Sequence, residues 1–272
     1  MRIVSRIAPA LAAALASLVA HPASEDVPFI TTPDNVTMTM LQIARVNDRD
    51  YVIDLGSGDG RIVITAAKSF GARGLGVEIV PDLVKQSRES AQAAGVGARV
   101  EFREEDLFKT DLSQASVITM YLLPEVNLEL RPKLLALKPG TRIVSHDWDM
   151  GDWPPERSVR IDVPDKKIGR EKASNVHLWI VPARLQGAWC GGSKAKPAAL
   201  HVEQKYGQMR GTVTRGTARH SFDARIRGTQ VQSLDGDLVW NVEGDHLKAV
   251  VARNAFAPYR SVTFARAESC AR

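Results

Sequence analysis

A chain of 272 residues with 44% hydrophobic content is long enough for two small domains and can bury an ordinary core. No segment reaches the roughly 20 apolar residues that a bilayer-spanning helix needs, and two cysteines with six scattered histidines give no metal-ligand spacing, so no metal is expected. The net charge of +5 is uneven: residues 184–272 carry 14 Lys/Arg against 7 Asp/Glu, whereas residues 24–183 are net acidic. No dense Lys/Arg cluster stands out, so the basic tail reads as a solvated face; an acidic partner, a membrane surface or an envelope component is the alternative.

Arg2 and Arg6 precede an apolar run from Ile7 to Ala20, and small residues follow at Ala20, Ala23 and Ser24. That is the layout of a secretory signal peptide over residues 1–23. Leu18 and His21 suit the cleavage region poorly, which leaves an uncleaved membrane anchor as a second reading. The expected location is therefore periplasmic or membrane-anchored, and cytoplasmic if the start is mis-assigned.

Residues 24–183 form the first expected domain. Pro28 to Pro33 reads as extended chain, with Thr32 as N-cap and Pro33 opening a helix whose apolar face holds Val36, Met40, Ile43 and Ala44. Tyr51 to Leu55 is a strand that stops at Gly56-Ser57-Gly58-Asp59-Gly60, and a helix begins at Arg61. The alternation then continues. Strands are expected at Gly74–Val80, Arg99–Arg103, Ala115–Leu123 and Thr141–Ser145, with helices opened by Pro81 and Pro124. This pattern implies a parallel α/β sheet covered on both faces, and Val159–Val163 with Val176–Val181 would bring it to seven strands.

A strand, a glycine turn and a helix form the first half of a βαβ unit, a place where nucleotide-like ligands bind. The spacing is G-x-G-x-G preceded by Asp54, rather than the G-x-G-x-x-G of dinucleotide sites. Glu78 ends the second strand 22 residues after Gly56, where a carboxylate can accept both ribose hydroxyls. Asp106 follows the third strand, with Leu107 next to it. Together, three acids at successive strand ends make a ligand-free glycine turn a poor account of the pattern.

The D-x-G-x-G-x-G turn after a strand resembles the first motif of class I S-adenosylmethionine (SAM) methyltransferases. With Tyr121-Leu122-Leu123-Pro124 and Leu130-Arg131-Pro132 added, residues 27–183 resemble the seven-stranded protein-lysine methyltransferases that act on the ATP synthase c subunit and the adenine nucleotide translocase. The resemblance implies a Rossmann-like fold with SAM as cofactor. It also implies cofactor-binding roles: Asp54, Gly56, Ser57, Gly58 and Gly60 at the methionine end, Glu78 at the ribose, Asp106 and the backbone of Leu107 at the adenine, and Thr32 in a covering segment. Tyr121 is the expected wall of the acceptor pocket, with Ser145 to Asp149 opposite. No general base is assigned, and His146 reads as a hydrogen-bonded strand-end residue.

The resemblance implies methyl transfer to a protein lysine; a small-molecule acceptor, or an exported binding module without turnover, are the alternatives. Nucleic acid is not expected, because Tyr121 to Pro124 stands where base methyltransferases place Asn-Pro-Pro-Tyr. SAM is made in the cytoplasm, which sits awkwardly with an export signal.

Residues 184–272 change character. Period-2 alternation recurs at Leu200/Val202/Gln204/Tyr206, Phe222/Ala224/Ile226, Leu238/Trp240/Val242, Leu247/Ala249/Val251 and Val262/Phe264, with turns at Asp235-Gly236 and Glu243-Gly244. This is a small antiparallel barrel or sandwich. Gly187-Ala188-Trp189 resembles the start of lipocalin-like barrels, and a core filled by side chains is expected. Cys190 and Cys270 bracket the domain and would form one disulfide in an oxidising compartment, or remain two buried thiols.

Overall fold

The computed structural model of the chain describes residues 30–166 and 171–270. The expected signal segment, residues 1–23, lies outside the described residues. The described residues from Thr31 to Cys270 pack as one compact unit. Among the described residues no helix is long and apolar enough to cross a membrane.

The helix α1 (Asp34–Ile43) leads into the strand β1 (Tyr51–Leu55). Helix and strand then alternate through α2 (Arg61–Phe70), β2 (Arg73–Glu78), α3 (Pro81–Ala93) and β3 (Val100–Glu104). After them come β4 (Val117–Met120), α4 (Pro124–Leu135), β5 (Arg142–His146), β6 (Arg157–Asp162) and β7 (Ala173–Ile180). The seven strands lie in the order β3-β2-β1-β4-β5-β7-β6. Strands β1 to β5 pair in parallel, and β7 runs antiparallel to both neighbours. The strand order reverses between β1 and β4, and such a switch point opens a crevice at the strands' carboxyl ends.

Alternation along the central strands divides the core. Val52, Val117 and Val144 face α1 and α2, while Ile53, Ile118 and Ile143 face the layer of α4 and Trp179. Asp54 lies two residues from Val52, so it shares the α1–α2 face, where every neighbour in its strand is buried.

Two sequence expectations change in the sheet domain. Thr32 does not cap α1: Pro33 occupies the N-cap position and no side chain bonds there, while Thr32 is buried instead. The fourth strand ends at Met120, so Tyr121, Leu122 and Leu123 belong to the loop above it.

The tail is a closed barrel of eight strands. They are β8 (Gly187–Ser193), β9 (Lys196–Lys205), β10 (Gln208–Arg215), β11 (Ala218–Arg227), β12 (Gln230–Ser233), β13 (Leu238–Glu243), β14 (His246–Ala252) and β15 (Thr263–Ala267). Each pairs antiparallel with the next, and β15 closes on β8. Trp189, Trp240, Tyr259 and Phe264 fill the interior. A register shift at Val239/Trp240 leaves one residue of β14 without a partner, so Val250 points outward and Ala252, not Val251, packs inside. Cys190 and Cys270 are bonded, with Cα atoms 5.5 Å apart, which ties the chain end to β8.

The barrel docks on the edge of the sheet opposite the crevice. Gly228 approaches Gly140 so closely that a Cβ on it would lie 3.0 Å from the Gly140 Cα. Arg227 Nε donates to Glu156 at 2.7 Å, the Tyr206 ring stacks on Trp153 at 5.9 Å, and its hydroxyl donates to Asp152 at 2.8 Å.

Candidate active site

The glycine turn sets the geometry. Gly56, Gly58 and Gly60 have φ of +72°, +52° and +79°, a region that glycine enters without steric cost. At Gly60 packing adds a second demand: a Cβ would sit 2.7 Å from the Phe102 ring and 3.0 Å from the Ser87 Cβ. Four of the five N–H groups of the turn are already committed. Gly56 and Ser57 both donate to the Val77 carbonyl at 2.9 Å, Gly60 to the Ser57 carbonyl at 2.9 Å, and Gly58 to the Glu78 carboxylate at 2.9 Å. A phosphate cradle needs such groups free and pointing at the ligand. This turn offers shape and close approach, which suits a nucleoside without phosphates.

The three sequence-predicted acids sit at the ends of adjacent strands. Asp54 is 2% exposed and accepts from the Thr119 hydroxyl at 2.6 Å. Burial pushes its carboxyl up to about 7, and the nearby charges of Asp59 and Glu78 act in the same direction. No cation balances it among the described residues. Glu78 accepts from the Gly58, Ile79 and Val80 amides. A carboxylate has about four acceptor positions, so one remains, and holding both ribose hydroxyls requires one of those bonds to be exchanged. Asp106 accepts from the Phe108 amide at 2.9 Å, which holds its carboxyl below the usual range, and Lys109 reinforces this. Leu107 beside it is partly buried against the core. The Ser57 hydroxyl is buried against Gly76 and finds no partner, so the fold does not bring it to the crevice.

Two connections escaped sequence reasoning. Arg61 forks onto Asp59, at 2.6 Å for its closest contact, and donates to the Thr32 carbonyl at 3.1 Å. The Thr32 hydroxyl in turn meets His146 Nδ1 at 3.2 Å. The segment before α1 is thus latched to the glycine turn and to the end of β5. Only the positions of Asp59 and Arg61 within the turn hinted at this.

His146 is buried; its Nε2 meets the Ser174 hydroxyl at 2.9 Å, and its ring lies 3.9 Å from the ring of Tyr121. Desolvation outweighs the attraction of Asp147 and lowers its pKa to about 4, so the ring is neutral. Burial also raises the Tyr121 hydroxyl, with help from Asp147. Asp147, at φ +63°, is itself buried enough to be pushed up, but the Lys166 ammonium at 2.8 Å and the Asn175 amide at 2.9 Å outweigh that and keep it ionised. Opposite the glycine turn, therefore, the wall is an uncharged tyrosine–imidazole pair, its rings tilted by 32°, with the Asp147–Lys166 ion pair 3.5 Å from His146 Nε2. Among the described residues no cluster of side chains could hold a metal ion.

Comparison with known proteins agrees with this geometry. The sequence model of the ANTKMT methyltransferase domain matches residues 54–157. A protein-lysine N-methyltransferase of Saccharolobus islandicus is 43% identical over 138 residues, which are 50% of this chain and 86% of that protein. The mouse lysine N-methyltransferase of the ATP synthase c subunit is 34% identical over 48% of this chain, and the match spans only 53% of its own length. An RNA methyltransferase from Salinibacter ruber, solved with S-adenosylhomocysteine, is 50% identical; it covers 57% of this chain and 96% of its own, with a TM-score of 0.52. Sheet order, glycine turn and these relationships together place the chain in the family of SAM-dependent methyltransferases to which the archaeal protein-lysine enzyme belongs.

Proposed function

We propose that this enzyme transfers the methyl group of SAM to the ε-amine of a lysine in a protein acceptor. The observation that carries the reading is the neutral wall of Tyr121 and His146 across from the glycine turn. Methyl transfer from a sulfonium is an in-line displacement, so alignment and exclusion of water do most of the work. An acceptor lysine must first lose a proton from an amine whose ordinary pKa is about 10.4. An uncharged, poorly hydrated wall disfavours the ammonium and favours the free amine. Asp147, the nearest carboxylate, is tied to Lys166 and the Asn175 amide, so the proton leaves to water as the side chain enters.

In this reading Asp54 and the backbone of the turn at Gly56, Ser57, Gly58 and Gly60 hold the methionine end of the cofactor, Glu78 the ribose, and Asp106 with the Leu107 amide the adenine; the buried Ser57 hydroxyl takes no part. Thr32 closes the methionine end through its bond to His146. Residues 24–183 act as the catalytic domain. The basic barrel of residues 184–272, docked away from the crevice, is a module for contact with an anionic partner or membrane surface. The disulfide supports maturation in an oxidising, extracytoplasmic compartment.

Labelled methyl transfer tests the acceptor. The full chain with methyl-tritiated SAM should place label in protein as methyl-lysine; label found solely in RNA or in small molecules refutes the reading. RNA is the weaker acceptor on physical grounds, because Glu125, Glu129 and Asp149 stand exposed on the acceptor side of the crevice and repel phosphates. Alkylation of thiols in fractionated cells tests the compartment: a free Cys190 in cytoplasmic material counts against it.

A further inference from the structure

The segments that leave β4 and β5 carry an exposed apolar lip beside the neutral wall. Leu123 precedes α4 and is 39% exposed, while Leu128 on α4 and Trp148 after β5 are each 43% exposed. Asn127 joins the two segments, donating to the Trp148 and Asp149 carbonyls at 3.3 Å, and Leu128 Cδ2 lies over Gly151. The lip is therefore built on anchored backbone. Around it stand the exposed carboxylates Glu125, Glu129 and Asp149. Asp152, farther along, is neutralised by Arg131 and Lys205; these three carboxylates have no such ion pair among the described residues.

Resting on the lysine reading above, we infer that the acceptor is a polypeptide segment whose target lysine is flanked by apolar and further basic residues, and that it docks on Leu123, Leu128 and Trp148. The apolar flanks cover the lip. The basic flanks meet the ring of carboxylates, which steers them in and rejects acidic or phosphate-bearing partners. Aromatic side chains at such surfaces often carry a large share of the binding, and Trp148 is the one tryptophan of five that is exposed; Trp153, Trp179, Trp189 and Trp240 are buried.

That exposure supplies the assay. Acrylamide should quench Trp148 emission in the full chain, as judged against Trp148→Phe. If Trp148 is already shielded, by the chain's own N-terminal residues or by a second copy at raised concentration, the inference is overturned. Three synthetic 15-residue peptides with one central lysine are then titrated: one with leucine and arginine flanks, one with serine flanks, one with leucine and glutamate flanks. The first should protect Trp148 from quencher and bind about tenfold tighter than either other. Leu128→Ser and the pair Glu125→Gln/Glu129→Gln should each remove most of that difference, with the affinity for SAM unchanged. Equal binding or equal methylation of all three peptides overturns the docking surface while leaving the lysine reading intact. Selective binding of the first peptide without methyl transfer keeps the surface and refutes the lysine reading.

Discussion

Replacing Asp54 with asparagine should make the unliganded protein more stable and cofactor binding weaker, two effects of opposite sign from one atom. The carboxyl is held at about 7, against 3.8 when exposed, because burial and the acids Asp59 and Glu78 disfavour its charge. In the native state without ligand, ionisation therefore costs about 4 kcal/mol. The sign follows from linkage. The folded pKa is raised, so the contribution is fully present below pH 3.8, is lost as pH rises toward 7, and stays lost above. Asparagine keeps an acceptor for the Thr119 hydroxyl but never ionises. At pH 8 Asp54→Asn should be more stable in urea by up to about 4 kcal/mol, and the gap should close toward pH 4. Cofactor binding runs the other way, since the cationic methionine end needs the carboxylate. Wild-type affinity should fall about tenfold per pH unit below 7, with release of about 0.9 proton per SAM bound at pH 6 and about 0.1 at pH 8. Calorimetry in two buffers of different ionisation enthalpy counts those protons. A variant less stable than wild type at pH 8, or a wild type that binds SAM without proton release at pH 6, refutes the reasoning.

Gly60→Ala forces an L-residue to φ +79° and puts its Cβ 2.7 Å from the Phe102 ring; urea unfolding should show a loss of about 3 kcal/mol, and a loss under 0.5 kcal/mol contradicts the packing argument. The Cys190–Cys270 bond spans 80 residues, a loop whose closure is worth about 4.5 kcal/mol at most. Reductant should therefore lower the unfolding midpoint yet leave SAM titration unchanged, because the barrel lies away from the crevice; identical midpoints in both redox states would contradict this. His146, lowered to about 4 by burial, should contribute no limb near pH 6.5 to kcat at saturating SAM. A limb there that His146→Gln removes would show the ring to be ionising.

The sheet was readable because each of its strands is a local event. Tyr51–Leu55, the glycine turn and the helix from Arg61 are contiguous, and the proline-opened helices announce their own starts. Glu78 and Asp106 were legible for the same reason, since a residue at the end of a parallel strand faces the crevice wherever the rest of the chain goes. The barrel was read less completely. β12 has four residues, two of them glutamine, and Gly211 interrupts β10, so neither shows clean alternation. The bulge in β14 is invisible to a period-2 count because it depends on the partner strand.

The amino-acid order by itself determined the repeating strand–helix pattern, the three left-handed glycines and the carboxylates at strand ends, because those follow from steric limits and hydrophobic period within a few residues. Only tertiary structure decided that Thr32 would reach His146, 114 positions away, that Tyr121 would lie tilted against that ring, and that Asp54 would have no cation beside it among the described residues. Each of these is a matter of which groups lose water together, and desolvation is a property of the packed neighbourhood rather than of any stretch of chain.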